Sequence, residues 1–266
     1  MRLRVEHQTT YSYDEPIFEG QTEARLRPTE DGGQRCLSFR LSVEPQALCH
    51  GYRDRHGNDI VHFDVLGPYD KLVLVARSEI LTADSFDEQQ RDLSLLDRFE
   101  FSSPTAYTPV TDDVRAFAAP CLVPGSAGAT ASKVMAAVRE RLAYETGATD
   151  VTTSAHEALL RGRGVCQDFA HLMLAACRSL GMPARYVSGY VHAPDSPSSA
   201  ASHAWVDVFL PVRGWISLDP THDTGQTERH VRLAVGRDYA DVPPTRGVFK
   251  GNARETLDVK VRIETI

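Results

Sequence analysis

The segment Gly164-Val165-Cys166-Gln167-Asp168-Phe169-Ala170-His171 indicates both the fold and the chemistry of this chain. Apolar residues continue at helical spacing as far as Leu180, and Gly181 ends the pattern, so the segment predicts a helix that begins near Cys166. A thiol in the first turn of a helix meets the positive end of the helix dipole, which favours the nucleophilic thiolate. A buried packing cysteine is the alternative.

Two later segments carry the other groups that cysteine chemistry needs. Ser202–Val208 alternates as a strand with His203 near its start, and Trp215–Thr221 is predicted as a strand that ends in Asp219. A nucleophilic thiol needs a base, and the base needs a third group that fixes its orientation. Cys166, His203 and Asp219 are therefore candidates for nucleophile, base and orienting acid.

The spacing of the strand residues does not decide which carboxylate orients His203. A hairpin that pairs Leu210 with Trp215 puts His203 and Asp219 on opposite faces of the sheet. Either a bulge shifts this register by one residue, or another carboxylate orients the histidine. The rival carboxylates are Asp207 and Asp223.

The first third of the chain is predicted as β structure, because four runs of alternating or Val/Leu-rich residues are separated by Gly-containing turns. A polar connector with one short helix follows. Helical patterns around Val134–Leu142 and after Ser154 precede a return to strands. The predicted division is a β domain over 1–82, a connector over 83–112 and a catalytic α+β domain with C-terminal strands over 113–266.

Taken together, these residues resemble the transglutaminase-like superfamily of papain-like cysteine enzymes. The motifs are GVCQDFAHLMLAACRSLGMPARYVSGY, SHAWVDVFL and GWISLDPTHD; HQTTYSYDEPI and HGNDIVHF resemble the N-terminal domain of the bacterial branch. The resemblance implies an α+β fold. An N-terminal antiparallel β-sandwich-like domain precedes a core whose Cys-bearing helix packs on an antiparallel sheet.

The same resemblance implies roles for the three candidates. It makes Cys166 the nucleophile, His203 its base and acid, and Asp219 the orienting carboxylate, and it therefore implies the bulge. The backbone N–H of Cys166 is one expected oxyanion donor. The candidates for a second donor are Tyr144 and Gln167.

The remaining cysteines and histidines are expected to be structural. Five cysteines are too few for a disulfide framework, and Cys36, Cys49, Cys121 and Cys177 are expected to pack in the core. The sequence contains no CxxC, HxxxH or HExxH spacing and no EF-hand loop, so neither a metal nor a cofactor is predicted. Asp168 is expected to cap the helix or tie it to Arg185. His171 and Trp205 are expected to lie in the core.

Composition excludes some classes of partner. The 266 residues carry a net charge of −7, which argues against nucleic acid as a partner because phosphate binding needs a basic face. No apolar stretch approaches a membrane span, and Met1–Glu6 alternates polar and apolar residues. A cytoplasmic protein without membrane contact is expected, and a homo-oligomer remains possible.

The sequence thus predicts a cysteine-dependent enzyme that transfers the acyl group of a peptide or protein amide through a thioester. Hydrolysis is favoured over cross-linking, because nothing marks an amine-binding pocket. The alternatives are a protein-glutamine transglutaminase, a catalytically silent scaffold and a zinc amidohydrolase. The loop Ala193–Ala201 is a candidate gate, and the N-terminal domain is a candidate for substrate positioning.

Overall fold

The computed structural model describes residues 1–31, 33–83, 92–193 and 202–266, and it has the predicted α+β class. Its strands are β1 (Arg2–Ala24), β2 (Gln34–Glu44), β3 (Cys49–Arg53), β4 (Asp59–Thr82), β5 (Ala143–Tyr144), β6 (Arg163–Gly164), β7 (Ala184–Val191), β8 (Ser202–Leu210), β9 (Gly214–Asp219), β10 (Thr224–Gly225), β11 (His230–Gly236), β12 (Thr245–Lys250) and β13 (Glu255–Thr265). Its helices are α1 (Leu95–Ser102), α2 (Asp112–Ala118), α3 (Ala127–Arg141), α4 (Ala155–Arg161) and α5 (Cys166–Ser179).

The N-terminal sheet is antiparallel and has six strands in two halves. The long strands β1 and β4 pair along most of their length, with register shifts between Ser12 and Glu19. On one side of these shifts they pair with β13 and β2, and on the other with β12 and β3. Both halves contribute to a single apolar cluster that includes Leu3, Ile17 and Phe63. The strand β4 continues through Gly67-Pro68, where the sequence predicts a turn.

The last two strands belong to this N-terminal sheet. The predicted division places residues 245–265 in the catalytic domain, whereas β12 and β13 both pair with β1. The apolar cluster of the sheet also takes in Tyr190, Val231 and Leu233 from the second sheet. The first and last segments of the chain are therefore packed as one unit against the core.

The core is a five-stranded antiparallel sheet in the order β10-β9-β8-β7-β11, with α5 packed on it. Every residue of α5 except the first and the last is buried. Apolar residues therefore surround this helix, as in the interior of a large domain. Helices α2, α3 and α4 contact α5 and bury it on its other sides.

The helix ends follow the predicted capping chemistry. Ser154 and Glu157 form a reciprocal capping box at the start of α4. Gly181 follows the end of α5 with φ 73°, a left-handed conformation that glycine adopts without steric cost. The predicted short helix of the connector is α1, while residues 84–91 lie outside the described part of the chain.

The expectation that four cysteines pack in the core is wrong for two of them. Cys121 and Cys177 are buried, but Cys36 is half-buried and Cys49 is exposed. Cys49 begins β3, an edge strand with all five residues exposed. Cys36 lies at a register shift between β2 and β4. A short edge strand and an irregular register leave these thiols outside the apolar layer.

Among the described helices, none is long and apolar enough to cross a membrane.

Candidate active site

Cys166 is the first residue of α5, as the sequence predicts, and a local constraint fixes this position. Asp168 Oδ2 accepts the backbone N–H of Val165 at 2.7 Å and the hydroxyl of Thr149 at 2.6 Å. A Cβ atom at Gly164 would lie 2.7 Å from the Cβ of Asp168, so glycine is needed where the chain enters the helix. Asp168 therefore caps the helix and orients its first turn, and the ion-pair partner of Arg185 is Asp207.

The hairpin of β8 and β9 brings His203 and Asp219 to one face without a bulge. Leu210 pairs with Gly214, not with Trp215, and the connection is a three-residue turn whose Val212 has φ 75°. This register is one residue away from the predicted one. Because the side-chain period of a strand is two, a one-residue change moves Asp219 to the face of His203. The predicted bulge in this hairpin is wrong.

His203 stands between the thiol and the carboxylate. Its Nε2 lies 2.8 Å from Asp219 Oδ2, and its ring lines the same cleft as the side chain of Cys166. Since Nε2 faces Asp219, Nδ1 is the atom that remains for the thiol. Burial opposes protonation of His203, but the hydrogen bond to Asp219 and the nearby side chain of Cys166 outweigh burial and raise its pKa to about 10.

Asp219 is fully buried and accepts five hydrogen bonds. Oδ1 accepts the backbone N–H groups of Thr221 and His222 at 2.9 and 3.3 Å. Oδ2 faces His203, Nδ1 of His222 at 2.7 Å and Nε2 of His230 at 3.2 Å. Burial disfavours the carboxylate, yet the hydrogen bonds from the three histidines hold the pKa of Asp219 far below its usual range.

The rival carboxylates lie elsewhere. Asp207 is buried between two arginines, 2.8 Å from Nε of Arg185 and 2.6 Å from Nη2 of Arg232. Burial disfavours its charged form, but the two arginines overcome burial and lower the pKa of Asp207 to about 2. Asp223 sits at φ 53° in the turn that follows β9. The structure thus brings Asp219, and neither rival, to His203.

The same cluster has to be considered as a metal centre. The ligand atoms of His203, Asp219 and His230 all lie within 4.8 Å of one another. However, Nδ1 of His230 accepts the backbone N–H of Thr227 at 3.1 Å, so Nε2 of this ring carries the proton and points it at Asp219. A metal ligand needs a lone pair at that atom, so His230 fits a hydrogen-bond donor better than a ligand.

A cleft of about 360 Å³ opens beside the thiol, between the core and the N-terminal sheet. Cys166 and His203 line it from the core, with Tyr144, Tyr186 and Tyr239. The N-terminal sheet contributes the opposite wall through His7, Thr245, Leu257 and Val259. Sequence reasoning missed this wall and the role of His230, because both depend on segments distant in sequence from Cys166.

The oxyanion candidates both line the cleft. Gln167 donates its side-chain N–H to the carbonyl of Val151 at 3.1 Å, while Tyr144 is about half-exposed. His171 is buried and accepts the backbone N–H of Tyr239, as expected of a structural histidine. Trp205 is also buried and stacks on His203, with ring centroids 6.0 Å apart.

Comparison with known families agrees with this geometry. The model of the transglutaminase-like superfamily matches residues 115–220, and that of the bacterial transglutaminase-like N-terminal region matches residues 3–81. The chain belongs to the transglutaminase-like superfamily. The first match contains the helix of Cys166 and the hairpin of His203 and Asp219. The second covers nearly all of β1 to β4.

Relatives extend over the whole chain. The uncharacterized protein ML0607 of Mycobacterium leprae is 36% identical, with 98% of each chain covered. The uncharacterized protein Rv2569c of Mycobacterium tuberculosis is 32% identical over 98% of this chain and 92% of its own. A protein-glutamine gamma-glutamyltransferase of Pseudomonas aeruginosa is 33% identical over 100 residues, which are 33% of this chain and 15% of that protein.

A solved structure shares the complete fold. It comes from Cytophaga hutchinsonii and is assigned as a cysteine protease only provisionally. It superimposes with a TM-score of 0.78 at 24% identity and covers 100% of this chain and 91% of its own. The N-terminal sheet and the α+β core therefore recur together in another protein.

Proposed function

We propose that this protein is a cysteine-dependent enzyme that hydrolyses a peptide or glutamine-like amide through a thioester. The observation that carries the proposal is the line of three side chains at the cleft. Cys166, at the N-terminus of α5, lines the cleft together with His203, whose Nε2 lies 2.8 Å from the buried Asp219. A nucleophile, a base and an oriented carboxylate in this order are the parts that acyl transfer requires.

In the proposed reaction, the Cys166 thiolate attacks the carbonyl carbon of the amide, and the carbonyl oxygen becomes an oxyanion that the Cys166 N–H stabilises. The C–N bond then breaks, and the leaving amine takes a proton from His203. The acyl group remains on sulfur as a thioester. Water attacks the thioester and gives a proton to His203, and the C–S bond breaks to release the acid and the Cys166 thiolate. Asp219 holds the ring of His203 in place throughout.

The second candidate is a protein-glutamine transglutaminase, in which an amine instead of water resolves the thioester. The similarity to the Pseudomonas aeruginosa gamma-glutamyltransferase over 100 residues favours it. The two reactions are the same as far as the acyl-enzyme, so the three side chains support both. We retain hydrolysis as the first choice because a cleft open to solvent supplies water without a second binding site.

Alkylation tests the nucleophile with a control inside the same molecule. Cys49 is an exposed thiol in the edge strand β3. We expect iodoacetamide at pH 6.5 to label Cys166 about tenfold faster than Cys49, or more, as read by peptide mass mapping. Equal rates at the two thiols contradict the proposal. The Cys166→Ala variant confirms the site of labelling.

The second step is tested with a glutamine-containing peptide and a labelled primary amine. The proposal expects more release of ammonia or acid than incorporation of the amine, and Cys166→Ala loses both. Incorporation that exceeds hydrolysis identifies the transglutaminase instead.

A further inference from the structure

His230 is the buried polar side chain closest to the proposed acid that the mechanism above does not use. It is the first residue of β11, while Asp219 ends β9, and β7 and β8 lie between these strands in the sheet. The chain crosses the end of the sheet after β10, so that His230 Nε2 comes within 3.2 Å of Asp219 Oδ2. Only 3% of His230 is exposed.

The protonation of His230 is set by its surroundings. Nδ1 accepts the backbone N–H of Thr227 at 3.1 Å and lies 3.2 Å from the hydroxyl of the same residue. The ring therefore carries its proton on Nε2, which is the atom that faces Asp219. Trp205 packs edge-on against the ring, with centroids 5.1 Å apart, and prevents it from turning away. Burial lowers the pKa of His230, which favours this neutral ring at neutral pH.

We propose that His230 is a positioning residue, whose Nε2–H holds the Asp219 carboxylate in the orientation that receives His203. It does not contact the reacting atoms; it acts through Asp219. The proposal rests on the proposed function for its catalytic consequence. The geometry is a relay of two hydrogen bonds: the Thr227 N–H donates to His230 Nδ1, and His230 Nε2–H donates to Asp219 Oδ2.

His222 offers a matched comparison, because its Nδ1 faces the same oxygen at 2.7 Å. Its side chain is 52% exposed and lies in the turn directly after Asp219. Water can replace an exposed donor, but it cannot replace one enclosed by Trp205 and Thr227. The positioning effect is therefore expected from His230 and only weakly from His222.

The test compares the pH dependence of Cys166 alkylation by iodoacetamide in the wild type, His230→Phe, His230→Gln and His222→Ala. Phenylalanine keeps the packing against Trp205 but removes both hydrogen bonds. Glutamine keeps a donor for Asp219 and an acceptor for Thr227. We expect His230→Phe to slow alkylation at pH 6.5 by about 10- to 100-fold and to move its pH midpoint upward by about one unit or more.

The comparison of His230→Gln with His230→Phe distinguishes a positioning role from a general contribution to the stability of the fold. We expect His230→Gln to stay within about threefold of the wild type, His222→Ala to slow alkylation less than His230→Phe does, and the labelling of Cys49 to be equal in all four proteins. A pH profile of His230→Phe that superimposes on the wild type contradicts the positioning role, as does a Gln variant as slow as the Phe variant. Slow alkylation of Cys166 in the wild type itself contradicts the proposed function and with it this role.

The protonation of His230 can also be measured in the wild type, so this test does not depend on whether a variant folds. Long-range proton–nitrogen NMR correlations of the histidine rings report which nitrogen carries the proton. We expect the Nε2–H form for His230 at pH 7. A ring protonated on Nδ1 overturns the relay.

Discussion

Two buried aspartates on neighbouring strands of the core sheet have opposite kinds of partner. Asp207, on β8, is neutralised by the guanidinium groups of Arg185 and Arg232. Asp219, at the end of β9, is surrounded by imidazole rings. Arginine stays protonated in proteins, whereas histidine exchanges its proton near neutral pH. The first cluster is therefore a fixed ion pair, and the second is able to move protons.

The difference shows that one sheet holds a structural ion-pair cluster and a cluster suited to proton transfer at separate places. The cluster of Asp207 lies in the interior, where Arg232 also contacts Asp31 and its backbone contacts Gln34 of the N-terminal segment. It ties the two sheets together. The cluster of Asp219 lies at the strand end, where the hairpin meets the cleft. Substitution of the two acids is expected to damage different properties.

The largest effect is expected for Asp219→Asn, measured as reactivity. An amide in place of the carboxylate no longer stabilises the imidazolium form of His203 and turns an N–H group toward its ring. We expect the alkylation of Cys166 at pH 6.5 and any amide hydrolysis to fall by about 10³-fold or more, and the urea midpoint to change less than in Asp207→Asn. Retained reactivity in this variant means that Asp219 is not the orienting acid.

The next effect is expected for Asp207→Asn, measured as stability. Removal of this charge leaves two buried guanidinium groups without their shared carboxylate, which usually costs about 3–5 kcal/mol of unfolding free energy. Urea unfolding measures the loss. The control is Glu145→Gln, since Glu145 pairs with Arg163 at 3.2 Å on the surface, and both side chains are more than half-exposed. We expect this exposed pair to contribute at most about 1 kcal/mol. Equal losses in the two variants contradict the distinction.

The smallest effect concerns a histidine buried without a carboxylate. His171 in α5 is fully buried, and desolvation lowers its pKa to about 3. The unfolded chain binds a proton near pH 6.5 and the folded protein does not, so stability is lost as the pH falls below 6.5. Between pH 6.5 and 4.5 this costs about 2 kcal/mol.

The measurement is the difference between two pH–stability curves. In the wild type, unfolding by urea from pH 7 to 4.5 includes the titration of His171 together with that of the other histidines and the carboxylates. In His171→Gln the carboxylates remain and the imidazole does not. We expect the variant curve to be flatter by about 2.5 kcal/mol over this range. Parallel curves mean that the His171 ring is protonated in the folded protein.

The fold class and the helix of Cys166 are predictable from the sequence because their signals are local. Helical spacing after Phe169, the Ser154 capping box and Gly181 each act within a few residues, and the structure confirms the elements they mark. Cys49 is mispredicted for the opposite reason. Its burial depends on whether the short edge strand β3 gains a neighbour on its free side, and no local pattern reports that.

The candidate site is predictable only in part. Cys166, His203 and Asp219 are prominent because each lies at or next to the end of a helix or strand. The face of the sheet that Asp219 occupies, however, changes with a single residue in the length of the turn. The three-residue turn around Val212 decides this register. The contact of His230 with Asp219 is harder still to predict, because it depends on the path of the chain across the end of the sheet. Contacts of this kind depend on topology, and neither spacing nor periodicity reports them.

The pairing of β13 with β1 has a consequence for the order in which the site is made. During synthesis, Cys166, His203 and Asp219 all leave the ribosome before Leu257 and Val259, which line the cleft from β13. For that interval the nascent chain carries its proposed nucleophile while part of the opposite wall of the cleft is missing. The final strand thus determines when the cleft acquires its complete shape, and trimming of residues 255–265 by a protease would return the protein to that earlier, open form.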